Sequence, residues 1–81
     1  MATYQHQLTD LEVQCGVTLE MVQKTLAKGM FIENGDKFLI QKGTPPALAS
    51  STARCAFAGQ PVAYLGFNQF GHPVYERERN Q

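Results

Sequence analysis

The sequence predicts a small α+β domain, with a helix-turn-helix followed by a β-hairpin wing, a short helix and a second β-hairpin. Three observations predict this fold: two helix starts separated by one glycine within residues 8–29, an Asn-Gly turn between apolar runs at 30–42, and a second pair of apolar runs around a turn at 60–77. The chain of 81 residues is long enough for one domain with a modest core.

Two helix starts lie close together near the N-terminus. Thr9 and Glu12 have the spacing of a capping box, in which each side chain accepts a hydrogen bond from the other residue's backbone amide. Gly16 is expected to end the first helix, because glycine adopts the left-handed conformation at little cost. Thr18 is expected to cap the second helix, and Gly29 to end it. Two short helices around one glycine predict the steep crossing of a helix-turn-helix.

The turn and second helix, GVTLEMVQKTL, resemble the MerR-like and excisionase-like DNA-binding domains. The residues that carry the resemblance are Leu11, Gly16, Val17, Thr18, Val22 and Leu26. The family usually has alanine where this chain has Glu12, so close packing depends on the capping box drawing that side chain back. The hairpin extends the resemblance to about residue 42, with residues 33–37 as the wing. The alternative is a helical hairpin that only contributes to the core.

The resemblance implies a small DNA-binding regulator or excisionase of the phage or plasmid type, with its second helix in the major groove. In that interpretation Gln23 reads adenine, and Lys24 or Lys28 holds phosphate. The residues expected to contact double-stranded DNA are Thr18, Glu20, Met21, Gln23, Lys24, Lys28 and Lys37.

The charge balance favours a different class of function. Seven Lys and Arg residues balance seven Asp and Glu residues, whereas duplex affinity comes largely from excess cations. A monomer is therefore expected to bind DNA weakly and a homodimer better. The alternative is a compact protein-interaction module that acts as a small inhibitor or adaptor of a larger complex. Its candidate anchors are Met21, Met30, Phe70, Tyr75 and Arg77, because Met, aromatic and Arg residues are enriched at interfaces.

The first hairpin has two alternative registers. A two-residue turn at Asn34-Gly35 would place Phe31 opposite Phe38, but it would also place Glu33 opposite Asp36. A bulged three-residue turn would relieve that like-charge pair.

The second half is expected to contain a helix and a hairpin. Residues 45–57 favour a helix capped by Thr44 and ended by Gly59, and the alternative is a loop followed by a strand at 54–58. The second hairpin would turn at 68–71, with Tyr64 facing Tyr75. Tyr64 and Phe67 are expected to bury against the helices. The alternative is that the aromatic and Arg residues of this hairpin stack bases or anchor a protein partner. The predicted core is Leu11, Val17, Val22, Leu26, Phe31, Phe38, Ile40, Leu48, Leu65 and Val74.

Nothing in the sequence forms a recognisable catalytic or cofactor motif, so we expect no enzyme, no metal and no cofactor. Cys15 and Cys55 lack CxxC spacing, lie far from His6 and His72, and are expected to be buried free thiols. No apolar run reaches the length of a membrane span, and the N-terminus lacks a signal pattern. A cytoplasmic location is therefore expected, with residues 8–77 as one domain and flexible tails at 1–7 and 78–81.

Overall fold

A computed structural model describes residues 4–28 and 37–78, together with the backbone of 31–33. The helices are α1 (Asp10–Gln14), α2 (Leu19–Leu26) and α3 (Pro46–Ala56), and the strands are β1 (Phe31–Glu33), β2 (Lys37–Leu39), β3 (Val62–Phe67) and β4 (Pro73–Arg77). The strands form one antiparallel sheet of four strands in the order β1-β2-β4-β3. The predicted α+β class is confirmed.

The ambiguous segment is a helix, so the alternative of a strand at 54–58 is wrong. The expected cap at Thr44 is also wrong, because the helix begins at Pro46 and its N-cap is Pro45. A proline at the first helical position loses no hydrogen bond, and it restricts the residue before it to an extended backbone. Pro45 accordingly has φ −58° and ψ 145°. The Thr44 hydroxyl instead donates a hydrogen bond to the carbonyl of Gln41 at 2.7 Å.

The end of α3 falls where the sequence predicts it. The Gly59 amide donates to the Arg54 carbonyl at 2.8 Å and the Ala58 amide to the Cys55 carbonyl at 3.0 Å, which is a Schellman ending. Gly59 also leaves room for the ring of Tyr4, because a Cβ at this position would lie 2.6 Å from Tyr4 Cε1. The N-terminal segment therefore rests against the end of α3.

Both predicted caps near the N-terminus are present. The Thr9 amide donates to Glu12 Oε1 at 2.8 Å and the Glu12 amide to Thr9 Oγ1 at 3.2 Å, which confirms the capping box. Gly16 has φ +84°, and Thr18 Oγ1 accepts from the Met21 amide at 3.2 Å. The two helices, however, do not pack on each other: no Cα of α1 lies within 8 Å of a Cα of α2, and both pack on α3.

The register of the first hairpin is the one with three residues between the strands. Glu33 is paired with Lys37 and Phe31 with Leu39, so the predicted two-residue turn is wrong. This register also avoids placing Glu33 opposite Asp36. Residues 34–36 and Met30 lie outside the described residues. Strand β2 also pairs with β4, which joins the two hairpins into one sheet. The predicted pair of Tyr64 and Tyr75 is confirmed.

Two apolar clusters meet on α3. The cluster between α3 and the sheet contains Phe38, Ile40, Ala49, Ala53, Phe57 and Tyr75. The cluster between α2 and α3 contains Val17, Val22 and Leu48, and the half-buried Leu26 packs against both. Small residues on α3 allow this contact on both sides.

The predicted core is correct in part. Val17, Val22, Phe38, Ile40 and Leu48 are buried as predicted. Leu26 and Val74 are half-buried, and the side chain of Phe31 lies outside the described residues. The predicted burial of Leu11 and Leu65 is wrong, since both side chains are exposed. The helix α1 turns Glu12 rather than Leu11 toward α3, and Leu65 lies at a β-bulge between Tyr64 and Gly66.

Candidate functional site

An apolar groove of about 810 Å³ lies between α1, the start of α3 and the strands β3 and β4. None of the described side chains that line it is charged. They are Leu11, Cys15, Thr44, Pro45, Pro46, Ala47, Ala49, Ser50, Val62, Tyr64, Phe67, Pro73 and Tyr75. A volume of this size accommodates several side chains of a partner or one small apolar ligand.

Three large side chains of the groove are open to solvent. Leu11 is 68% exposed, Tyr64 is 52% exposed and Phe67 is 69% exposed. The bulge in β3 places Phe67 near Tyr64, with ring centroids 6.1 Å apart and the rings edge to face. Tyr64 also stacks at 5.2 Å against the buried Tyr75. The expectation that Tyr64 and Phe67 bury against the helices is therefore wrong.

The groove is uncharged because the surrounding sequence is uncharged. Arg54 is the only Asp, Glu, Lys or Arg residue between Lys42 and Glu76. Its guanidinium turns to Glu12, with Nη2 at 2.5 Å from Oε1. This long uncharged stretch is the sequence signal that could have identified the groove.

The ion pair between Arg54 and Glu12 positions the α1 wall of the groove. The side chains of Glu12 and Arg54 are 8% and 20% exposed, so the pair is largely removed from water. Arg54 Nη1 also donates to the carbonyl of Gln7 at 3.0 Å. One side chain of α3 thus holds both the N-terminal segment and α1, which carries Leu11 and Cys15 into the groove.

Residues 4–7, predicted as part of a flexible tail, dock on α3 through a chain of hydrogen bonds. The Tyr4 hydroxyl is 2.7 Å from His6 Nδ1, and His6 Nε2 is 2.9 Å from Ser51 Oγ. Ser51 is completely buried, so a substrate could not reach its hydroxyl. The Ser51–His6 contact is therefore a structural one. Burial and the nearby Arg54 lower the pKa of His6, and burial raises the pKa of Tyr4.

This lowered pKa makes stability depend on pH. A free histidine has a pKa of about 6.5, so as pH falls below that value the unfolded chain binds a proton that the folded chain excludes. We expect the free energy of unfolding to fall from about pH 6.5 down to the lower folded pKa of His6. His6→Gln should flatten this part of the profile in urea titrations between about pH 5 and 8. Equal slopes in the two proteins would contradict the assignment.

The residues predicted to contact DNA lie mostly on the exposed side of α2. Thr18, Glu20, Gln23, Lys24 and Lys28 are exposed. Met21 is 37% exposed, while Val22 and Thr25 are buried. The charge on this face is partly neutralised, because Lys24 Nζ lies 3.2 Å from Glu20 Oε1.

Lys37 lies apart from this face, in the sheet. It is half-buried, and its Cα partners are Glu33 in β1 and Glu76 in β4. A lysine between two acidic positions is poorly placed to neutralise a phosphate. The structure therefore does not bring all the predicted DNA contacts together.

Of the predicted protein-binding anchors that the structure describes, none of the exposed ones lines the groove. Phe70 is 66% exposed but does not line the groove, and Arg77 is half-buried. The prediction of Tyr75 as an exposed anchor is wrong, because this residue is only 6% exposed and belongs to the core beneath the groove. Burial and then Tyr64 raise its pKa. Sequence reasoning did not identify Leu11, Cys15 or the start of α3 as parts of a site.

The cysteines are free thiols, as predicted, but neither is fully buried. Cys15 is exposed in the groove, so its predicted burial is wrong, and Cys55 is half-buried with its pKa raised by burial. Within residues 4–28 and 37–78, no three His, Cys, Asp or Glu side chains come together as metal ligands would. Among the described helices, none has the length and apolar content to cross a membrane.

Comparison with known proteins gives no match: no family model matches the chain, nor does any curated protein or solved structure.

Proposed function

We propose that this protein is a compact protein-interaction module that binds an apolar segment of a partner protein in the groove. The observation that carries the proposal is a groove of about 810 Å³ whose described side chains are all uncharged. Exposed apolar surface rimmed by polar residues marks interaction sites in soluble proteins. Leu11, Tyr64 and Phe67 are the anchors, because they are large, exposed and directed at the groove.

The groove is better suited to protein than to nucleic acid. Phosphates need Lys or Arg, and the described side chains that line the groove include neither. Burial of Leu11 and the two aromatic rings by apolar side chains would instead stabilise a complex by the hydrophobic effect. As an inhibitor or adaptor of a larger complex, the protein would need no catalytic group of its own.

Replacement of Phe67 by serine should remove most of the binding. An anchor of this size contributes about 2 kcal/mol, which corresponds to roughly a 30-fold loss of affinity. The measurement is affinity capture from a lysate of the cell that makes the protein, after nuclease treatment. We expect one stoichiometric protein with the wild-type chain and little of it with Phe67→Ser.

Phe70→Ser is the matched control. Phe70 is 66% exposed, close to the 69% of Phe67, but it lies outside the groove. It should capture as much partner as the wild-type chain. Equal capture by Phe67→Ser and the wild-type chain, or capture of no protein from the nuclease-treated lysate, would contradict the proposal.

A second candidate function is DNA binding through the exposed face of α2, with the β1–β2 hairpin as a wing. What favours it is the capped helix α2, which exposes Gln23 and Lys24 and is followed by the exposed Lys28. Lys28→Ala should weaken binding to all duplexes alike, whereas Gln23→Ala should relax sequence preference. Fluorescence anisotropy with a set of duplexes at low salt would measure both. No binding to any duplex would end this candidate.

A further inference from the structure

The groove adjoins the open edge of the sheet. Strand β3 is the last strand of the order β1-β2-β4-β3, and among the described strands it pairs with β4 alone. The Glu78 amide donates to the Pro61 carbonyl at 2.9 Å, and Val62 and Ala63 are opposite Arg77 and Glu76.

This pattern determines which backbone groups of β3 are free. In an antiparallel pair, hydrogen-bonded and non-hydrogen-bonded positions alternate. Since Pro61 is hydrogen-bonded to β4, Ala63 is the next such position. Val62 and Tyr64 therefore direct their N–H and C=O groups toward the open edge, while their side chains line the groove.

We infer that the partner contributes an extended, uncharged segment that adds to the sheet as a fifth strand beside β3. This inference rests on the proposed function. Its backbone would bond to Val62 and Tyr64, and its alternate side chains would enter the groove. A helix seated there would cover these backbone groups without pairing them, which costs free energy. A charged side chain would find no opposite charge among the described side chains of the lining.

The bulge in β3 favours a heterologous segment over a second copy of this chain. The regular register ends between Tyr64 and Gly66, so only about three residues offer straight pairing. A bulge of this kind protects an edge against long strand pairing. A second copy would bring the same bulge to the interface, whereas a partner segment can be regular along its whole length.

Amide hydrogen exchange by NMR on the full chain would test this mode directly. The strand probe is an acetylated, amidated hexapeptide of alternating threonine and valine. The helical probe is an acetylated, amidated alanine-based peptide with leucines at helical spacing. At a strand-probe concentration about ten times its Kd, roughly a tenth of the molecules remain free, so exchange at Val62 and Tyr64 should slow about tenfold. Ala63, already bonded to β4, is the internal control: its amide should be protected with and without the probe, whereas Val62 and Tyr64 should be protected only with it.

The outcomes separate this inference from the proposed function. Binding of the strand probe without protection of Val62 and Tyr64 overturns the fifth strand, as does tighter binding of the helical probe. Failure of the strand probe to bind at about millimolar concentration also overturns it. None of these results changes the dependence of partner capture on Phe67, which tests the groove itself. Dimers of the free chain that protect the same two amides would assign the edge to a second copy instead.

Discussion

Replacement of Ile40 by alanine is expected to lower the free energy of unfolding by about 3 kcal/mol. Ile40 is completely buried in the cluster between α3 and the sheet. Its amide donates to the Pro73 carbonyl at 2.9 Å, and its carbonyl lies 3.2 Å from His72 Nδ1. These bonds hold the backbone in place, so the neighbours cannot easily close the cavity. Urea unfolding followed by circular dichroism would measure the loss, which is large for a domain of this size.

Leu65→Ala is the control for this prediction. It removes a similar amount of apolar side chain, but Leu65 is 50% exposed. The expected loss is below about 1 kcal/mol, because much of the side chain is in water in both states. Equal losses from the two substitutions would show that Ile40 does not hold the core together.

The parts of this fold that could be predicted from sequence are those determined by near neighbours. The capping box of Thr9 and Glu12 depends on residues three apart, and Gly16 ends α1 because of its own backbone freedom. The pairing of Tyr64 with Tyr75 follows from one short turn. In each case the interacting residues lie within a few positions or are joined by a hairpin.

The parts that could not be predicted depend on distant contacts. Nothing local indicates that β2 pairs with β4, yet this pairing turns two hairpins into one sheet. Likewise, the capping box explains why Glu12 turns back, but not that Arg54, 42 residues later, would pair with it. That long-range ion pair packs α1 against α3. In a helix-turn-helix, by contrast, α1 would pack against α2.

The groove could not be predicted from the sequence either, because it too depends on a contact between distant residues. Leu11 and Glu12 are adjacent, so on a helix they point roughly 100° apart. Hydrophobicity alone predicts Leu11 as the buried member of the two, whereas the ion pair of Glu12 makes it the exposed one. An apolar residue displaced from the core by a buried ion pair is available for binding, and this is how α1 provides one wall of the groove.

Arg54→Met is expected to destabilise the fold by about 3 kcal/mol and to weaken binding in the groove. The substitution leaves the Glu12 carboxylate, whose side chain is 8% exposed, without its cation. It also removes the hydrogen bond to the Gln7 carbonyl. Urea unfolding would measure the first effect, and capture of the partner at a temperature where the variant stays folded would measure the second.

Two comparisons separate the effect of breaking the ion pair from the effect of removing one positive charge. Lys28→Met removes an exposed cation and should cost less than about 0.5 kcal/mol. The double variant Glu12→Gln with Arg54→Met should lose less stability than the sum of the two single variants, because each single change already breaks the same contact. If the losses add, the pair does not hold α1 on α3. If the losses of stability do not add, but Arg54→Met still captures the partner, then partner binding does not require the α1 wall of the groove. Leu11 would then not be an anchor.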